Sequence, residues 1–198
     1  MALMVKKENN EQALSDLELI RRCAEGNIRA QELLYRRYFS FAMSVCIRYT
    51  ADEHEAMEAV NDSYMKVLDK IDEFDTSRPF RPWYGKILVN SSIDMYRRKP
   101  RNNSSLLISE IAETEEREPE IEAEMSAADI ISLFARLPEQ YRVTFSLSEI
   151  EGYSHEEIGS MLGITASASR SNLSRARKML RELYSRQFSP VKRNNEAV

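Results

Sequence analysis

The sequence predicts an all-α protein that consists of two small helical domains joined by a flexible acidic linker. Only five of the 198 residues are glycine, and apolar residues recur at spacings of three and four, which is the period of an α-helix. Residues 101–124 interrupt this pattern, because they are rich in serine and asparagine at first and in glutamate afterwards. A segment of this composition cannot bury a core, so we expect it to separate two folded units.

The composition favours a cytoplasmic protein without a metal or another cofactor. Hydrophobic residues make up 42% of the chain, which is enough for a core in each domain. No apolar run approaches the roughly 20 residues of a membrane-spanning helix, and the first residues lack the continuous apolar stretch of a secretory signal. Cys23 and Cys46 lie far apart and outside any CxxC spacing, so we interpret both as small core residues.

The charges fall into blocks that matter more than the net charge of −4. Residues 78–101 hold seven basic side chains and one acidic one, a local charge of +6, and residues 165–193 hold eight basic side chains and one acidic one, a local charge of +7. Residues 110–124 hold eight glutamates and one arginine, a local charge of −7. Two basic surfaces therefore flank an acidic segment, which is compatible with nucleic-acid binding by both domains.

The first two helices follow from capping residues and apolar spacing. Asp16 is expected to cap a helix that ends at Ala24, before the stop signal of Gly26. Its predicted buried face consists of Leu17, Ile20 and Ala24. A longer helix should follow over residues 27–49, with one apolar stripe formed by Leu34, Tyr38, Phe41 and Val45.

The next two helices are separated by a connection rich in helix breakers. Asp52 and Glu55 have capping-box spacing at the start of a helix with an acidic outer face. The inward stripe of that helix is predicted to be Ala56, Val60, Tyr64, Val67 and Ile71. Prolines and other turn formers mark residues 72–82 as a short connection, and the helix after it should run over residues 80–98 before Pro100 stops it.

Helical spacing returns after the linker. A helix is predicted from the spacing of Ala128, Ile131, Phe134 and Leu137, and Pro138 is expected to open the helix after it, where its missing N–H costs little. A third helix should start with the capping box of Ser154 and Glu157. Its buried face is predicted to be Ile158 and Leu162.

The most informative pattern lies near the C-terminal end of the sequence. Gly163 ends the third helix of this domain, and Thr165 can cap a final helix. The apolar stripe of that helix is Leu173, Ala176, Leu180 and Leu183. A helix, a glycine turn and a second helix with basic exposed positions form the helix-turn-helix arrangement.

The final helix carries the candidate contacts to duplex DNA. In a helix-turn-helix, the N-terminal half of the second helix contacts base edges in the major groove, and arginines further along contact phosphates. Arginine suits guanine, asparagine suits adenine, and serine can bond to either. The candidate residues are therefore Arg170, Ser171, Asn172, Ser174 and Arg175. The alternative is an ordinary basic helix pair that faces solvent.

The first domain interleaves aromatic and basic residues, which is typical of proteins that bind unpaired bases, because every base has a face to stack on and a phosphate to neutralise. The members are Phe74, Phe80, Trp83, Tyr84 and Tyr96 among Arg78, Arg81, Lys86, Arg97 and Arg98. Trp83 has helical spacing with Ile87 and Asn90, which favours a core role for its indole and leaves a base contact as the alternative. We therefore expect residues 72–81 to contact bases.

Enzymatic functions find little support. The sequence contains neither GxxxxGK[ST] nor GxGxxG, and five scattered glycines could hardly form either phosphate-binding loop. His54 and His155 each fall in the first turn of a predicted helix, where a solvated surface position is expected. The carboxylates lie on helix faces or in the linker, so we interpret them as solubilising or partner-facing groups.

From Asp16 onwards the chain resembles the extracytoplasmic-function group of sigma factors. The most specific passages are DEHEAMEAVNDSYMKVLDKIDEFD (residues 52–75), FRPWYGKILVNSSIDMYRR (80–98), and LPEQYRVTF, EGYSHEEIGSMLGI and LSRARKML within residues 137–180. The resemblance implies an N-terminal tail (1–15), sigma region 2 (16–100), the acidic linker (101–125), sigma region 4 (126–186) and a C-terminal tail (187–198).

The resemblance also implies partners. Sigma region 2 would bind the clamp helices of the largest subunit of RNA polymerase through Asn61, Asp62, Lys66 and Asp69. The same region would melt the minus-10 promoter element and hold a flipped base, with contacts from Asp75, Ser77, Arg78, Phe80, Lys86, Asn90, Arg97 and Arg98. Region 4 would bind the minus-35 element through the five candidates on the final helix, and its other surface would bind the flap of the second-largest subunit. An anti-sigma protein is a further implied partner.

The chain departs from the family pattern at the start of the recognition helix. Family members commonly have glycine, threonine, valine and a basic residue there, whereas this chain has Ser167, Ala168, Ser169 and Arg170. Asn172 stands where a basic residue is usual. These differences affect helix packing and base contacts, so the resemblance implies no particular promoter sequence.

Two other classes of function remain compatible with the residues. A dimeric regulator with a helix-turn-helix would need a self-complementary apolar surface and a palindromic site, and would bind DNA without polymerase. A helical adaptor that binds proteins through its acidic faces would show no salt-dependent affinity for DNA.

Overall fold

The computed structural model describes residues 14–99 and 127–188. These residues form eight α-helices and contain no β-strand, which confirms the predicted all-α class. The chain divides into two compact units, one up to Arg98 and the other from Lys99 onwards. No helix in the described residues combines the length and the apolar character that a bilayer-spanning segment needs.

The first unit contains α1 (Asp16–Ala24), α2 (Ile28–Cys46), α3 (Glu53–Asp69), a short 3₁₀ turn (Ile71–Glu73) and α4 (Phe80–Arg98). Helix α2 contacts α1, α3 and α4, and α3 also packs along α4. The side chains at their common centre are buried, among them Leu34, Val60, Val67, Tyr84 and Leu88. Both ends of α4 agree with the prediction. Both cysteines are buried, which confirms their predicted place in the core.

The prediction for α1 was wrong in two respects. Ser15, rather than Asp16, caps the helix by accepting a hydrogen bond from the amide of Glu18 at 3.2 Å. The buried face is formed by Leu19, Ile20 and Cys23, while Leu17 is 52% exposed. The nine-residue helix carries two overlapping apolar stripes, and the stripe with Leu19 and Cys23 is the one that faces α2.

Asp16 has a tertiary role instead of a capping role. Its carboxylate accepts hydrogen bonds from the hydroxyl of Tyr38 and, at 2.8 Å, from the guanidinium of Arg37, and so ties α1 to α2. Partial burial raises the pKa of Asp16, but the hydrogen bonds from Tyr38 and Arg37 outweigh it, so the pKa lies below its ordinary value.

A carboxyl group with a lowered pKa stabilises the fold above its ordinary pKa, and this contribution is lost as the pH falls through the lowered value. We therefore expect the attachment of α1 to weaken in acid, by less than about 1 kcal/mol because the side chains of Asp16 and Arg37 are partly exposed. Hydrogen exchange of the α1 amides across an acid titration measures this effect. Asp16→Asn should remove the part of the pH dependence that comes from this carboxyl group. An unchanged titration in that variant would contradict the assignment.

The capping of α3 is close to the prediction. Asp52 is the N-cap and accepts from the amide of Glu55 at 2.9 Å. The carboxylate of Glu55 accepts from the amide of Ala51 at 2.8 Å, one residue before the position that a capping box requires. The predicted inward stripe from Ala56 to Ile71 is buried throughout.

The second unit contains α5 (Ala127–Ala135), α6 (Glu139–Phe145), a short π-helical segment (Ser146–Ile150), α7 (His155–Leu162) and α8 (Ala166–Phe188). Helix α8 contacts each of the other three α-helices. Leu133 and Leu137 form a buried cluster with Leu183, whereas Leu180 is only partly buried. Pro138 is the N-cap of α6. The side chains of Ala128 and Ile131 are not among those that the structure describes, so the prediction for them is not tested.

Candidate nucleic-acid interface

Helices α7 and α8 form the predicted helix-turn-helix. Ser154 and Glu157 make a complete capping box, and Thr165 accepts from the amide of Ala168 at 3.0 Å. Gly163 ends α7 in the left-handed region with φ 63°, which glycine adopts without a steric penalty. These local hydrogen bonds fix the start of α8 immediately after the connecting turn at Gly163.

Gly159 makes the sharp turn possible. The amide of Ile164 donates to the carbonyl oxygen of Gly159 at 3.0 Å. A Cβ atom added at position 159 would lie 2.8 Å from the carbonyl oxygen of Ile164 and 3.4 Å from the amide nitrogen of Ala166. Because both neighbours are backbone atoms, α7 and the turn can approach this closely only over a glycine.

The outer face of α8 carries the predicted duplex contacts. Arg170, Ser171 and Ser174 are exposed, and Asn172 and Arg175 are partly buried. Leu173 and Ala176 are buried on the opposite side. The guanidinium of Arg170 lies 3.5 Å from the carboxylate of Glu156 on α7, with both side chains more than half exposed. The structure therefore places all five candidates within two turns of α8.

Two basic residues extend this face beyond the predicted set. Arg177 is exposed and its guanidinium lies 2.9 Å from the carboxylate of Glu149, and Lys178 is exposed as well. Lys178 follows Ser174 by four residues, and Arg177 follows Arg170 by seven, so helical spacing alone could have found both.

His155 and Ser169 occupy positions that the sequence did not predict. His155 was expected to be solvated, but it is partly buried, and its Nδ1 lies 2.9 Å from the hydroxyl oxygen of Ser169. Ser169 is fully buried. The small residue that departs from the family pattern therefore lies in the interface between α7 and α8, where its hydroxyl has a partner on the facing helix.

In the first unit, α4 presents a basic face. Lys86, Asn90 and Arg97 are exposed and recur at spacings of four and seven, so they share one face over about 16 Å. Arg98 is exposed at the end of the same helix. Four of the predicted minus-10 residues are thus accessible on α4.

An aromatic cluster packs beneath the start of α4. Phe80 is 4% exposed, and its ring lies 5.5 Å from Phe74 and 4.9 Å from Tyr38, measured between centroids. The ring of Trp83 lies 5.0 Å from Phe74 and 5.5 Å from Phe80 while remaining partly exposed. Phe80 is thus a core residue in this conformation, in contrast to its predicted base contact.

The loop before α4 is organised by one carboxylate. Asp75 accepts hydrogen bonds from the amide and the hydroxyl of Ser77 at 3.0 and 2.6 Å, and its other oxygen lies 3.1 Å from Nε of Arg78. The bonds from Ser77, with a smaller contribution from Arg78, hold the pKa of Asp75 below its ordinary value. All three side chains are exposed, so the loop has a defined shape and remains accessible.

Three of the four predicted polymerase contacts lie on the outer face of α3. Asn61, Asp62 and Asp69 are exposed, and Met65, 59% exposed, lies among them. Lys66 instead turns towards α4, where its ammonium group donates to Ser91 at 3.0 Å and lies 3.4 Å from the carboxylate of Asp94. This side chain connects α3 with α4.

The α7–α8 unit and its exposed basic face define a helix-turn-helix DNA-binding protein. Residues 34–102 match the family model for sigma-70 region 2, and residues 127–180 match the model for sigma-70 region 4. The chain therefore belongs to the sigma-70 family, as a member of its extracytoplasmic-function (ECF) group. It is an alternative sigma factor, which directs RNA polymerase to promoters.

The chain is also similar to individual proteins and to a solved structure. The chain is 26% identical over 160 residues to the ECF RNA polymerase sigma factor SigE of Mycolicibacterium smegmatis, a match that covers 79% of this chain and 62% of that protein. It is 25% identical over 176 residues to the RNA polymerase sigma-H factor of Pseudomonas aeruginosa, covering 83% and 91%. The solved structure of CnrH in complex with the cytosolic domain of CnrY is 25% identical, with a TM-score of 0.46 over 87% of this chain and 98% of that one.

Proposed function

We propose that the two units divide promoter recognition between them, α8 binding the duplex minus-35 element and α4 with its preceding loop binding the unwound minus-10 element. The observation that carries the proposal is the presence of two separate exposed basic faces, one on a helix-turn-helix and one beside an aromatic cluster. Major-groove binding needs the first arrangement, and unpaired DNA needs the second.

At the minus-35 element, the binding surface is the outer face of α8. This face begins with Arg170, Ser171 and Asn172 and continues with Ser174 and Arg175. Arginine bonds to guanine in two places and asparagine bonds to adenine in the same way, so these side chains supply sequence preference. The exposed Arg177 and Lys178 lie further along α8, where basic residues contact phosphates and add affinity without preference.

At the minus-10 element, the exposed side chains of α4 bind the backbone of one separated strand, namely Lys86, Asn90, Arg97 and Arg98. The ordered loop of Asp75, Ser77 and Arg78 holds an extruded base at the end of this face. Phe80 supports the loop from the buried side rather than stacking on DNA. Trp83, partly exposed at the edge of the cluster, offers an aromatic surface to solvent there.

We base the remaining parts of the proposal on family membership. Asn61, Asp62 and Asp69 bind the clamp helices of the largest polymerase subunit, the second unit binds the flap of the second-largest subunit, and an anti-sigma protein masks one of these surfaces. The chain has no catalytic activity of its own and acts in the cytoplasm together with polymerase. The functional domains are residues 16–100 and 126–186, joined by the linker 101–125.

Transcription from a library of random upstream sequences tests the proposal. Purified core polymerase is supplied with and without the protein, and the transcripts are sequenced. Initiation that depends on the protein and enriches two short motifs at a fixed spacing supports it. If no transcript depends on the protein while the protein alone binds a palindromic duplex, it is a dimeric regulator. An absence of any salt-dependent DNA affinity would favour a protein-binding adaptor.

Substitution of Lys66 tests whether its side chain contacts polymerase or instead connects α3 with α4. Because its ammonium group is held by Ser91 and Asp94, we expect Lys66→Met to change the affinity for core polymerase by less than about twofold, as for a half-exposed ion pair. Asp62→Ala with Asp69→Ala should lower that affinity by about tenfold through lost interface hydrogen bonds. A competition assay for core polymerase measures both, with Lys70→Met as the matched control. A tenfold loss of affinity for core polymerase in Lys66→Met alone would mean that Lys66 contacts polymerase directly.

A further inference from the structure

We propose that His155 and Ser169 form a positioning pair, which sets the angle between α7 and α8 and thereby determines how sharply the protein discriminates among minus-35 sequences. The inference rests on the proposed function of α8. Neither residue needs to touch DNA for this role, because both act through the orientation of the helix that carries Arg170 and its neighbours.

The pair is built into the interior of the helix-turn-helix. Ser169 is fully buried on the first turn of α8, where its amide donates to the carbonyl oxygen of Thr165 at 3.0 Å. Its hydroxyl lies 2.9 Å from Nδ1 of His155 and can either donate to that nitrogen or accept from it. A buried hydroxyl without a partner is strongly unfavourable, so the bond constrains the distance between the two helices.

Two contacts at different distances from the turn define the angle. At the turn itself, Gly159 lies against the backbone of Ile164. Further from the turn, the bond between His155 and Ser169 joins the first turn of α7 to the first turn of α8. His155 and Gly159 are four residues apart and so lie on one face of α7. The two contacts together constrain the direction of the start of α8 more tightly than the contact at the turn alone.

The neighbouring ion pair cannot replace this bond when DNA is present. Glu156 and Arg170 connect the same two turns at 3.5 Å, but both side chains are largely exposed, and such pairs are weak. Arg170 is also the side chain that we assign to the DNA, so its contact with Glu156 would be given up on binding. The buried bond then remains as the polar connection between these two turns.

The experiment uses the full-length protein in holoenzyme and a promoter library randomised only at the minus-35 positions. The ratio of transcription from the best sequence to that from its single-base variants measures discrimination. His155→Leu fills the space without providing a hydrogen bond, and we expect it to lower the ratio by about threefold to tenfold, the range for one net hydrogen bond. His155→Asn places an amide nitrogen near the position of Nδ1 and should restore most of the ratio.

A double-mutant cycle adds a second criterion. Ser169→Ala should lower the ratio as His155→Leu does, and the combined variant should be no worse than either single variant, because the two residues act as a unit. Ser160→Ala is the matched control, since the hydroxyl of Ser160 is exposed on α7 and bonds only within its own helix. Its ratio should equal that of the original protein.

Several results would overturn the inference. One is an unchanged ratio in His155→Leu. Others are additive losses in the combined variant, or a loss in His155→Asn as large as that in His155→Leu. A protein that shows no minus-35 preference before any substitution would instead refute the proposed function of α8, so the two failures are distinguishable.

Discussion

Gly159→Val is expected to abolish transcription that depends on the minus-35 element while leaving the first unit intact. The Cβ atom of the new side chain would lie 2.8 Å from the carbonyl oxygen of Ile164, and its two methyl groups would add further contacts with the turn. Because the opposing atoms belong to the backbone, the turn itself has to move. Overpacking of this kind costs about 1–3 kcal/mol, and the recognition helix loses its orientation.

Hydrogen exchange of the amides in α7 and α8 measures the loss of stability, and transcription from a minus-35-dependent promoter measures the loss of function. Ser160→Val is the matched control, because it places the same β-branched side chain on the next, exposed position of α7, where valine and serine have similar helix propensities. The control should retain transcription within about twofold, as exposed substitutions usually do. Equal losses in the two variants would mean that valine disrupts α7 itself rather than its contact with the turn.

Gly159 also illustrates what sequence reasoning could and could not reach. The turn was predictable, because Gly163 and Thr165 are local signals whose hydrogen bonds close within a few residues. The close approach at Gly159 was not predictable, because a glycine inside a helical pattern is compatible with several explanations. Only the tertiary position of the Ile164 carbonyl group distinguishes among them.

The same distinction between local and tertiary information explains which sequence-based predictions were correct and which were wrong. The limits of α4 and the caps at Asp52 and Ser154 were predicted correctly, since they depend on residues three or four positions apart. Asp16 was predicted to be a cap because local spacing could not reveal its true partner, Tyr38 on α2, which is 22 residues away in the sequence. Phe80 and His155 were judged from residue type and helix position, whereas their burial depends on which neighbouring elements cover them.

The residue-level contacts to DNA remain predictions, and paired substitutions on one face can test them. We expect Lys86→Ala combined with Arg97→Ala to weaken binding of the holoenzyme to a single-stranded minus-10 segment by about tenfold or more, because two phosphate contacts are removed together. The slope of log affinity against log salt concentration should become shallower by about 1.4, since each contact with single-stranded DNA accounts for about 0.7. Affinity for a duplex that carries only the minus-35 element should not change.

The control for this prediction removes the same charge from the same unit but from another surface. Arg36 and Lys70 are exposed on or beside α2 and α3 and lie outside the basic face of α4. Arg36→Ala combined with Lys70→Ala changes the net charge equally and should leave both the affinity and the salt slope as they were. If the two double variants lose affinity to the same extent, long-range attraction by the whole unit binds the strand, and the face of Lys86, Asn90 and Arg97 has no special role. A loss confined to the α4 variant, with the predicted change in slope, identifies that face as the surface that holds the separated strand.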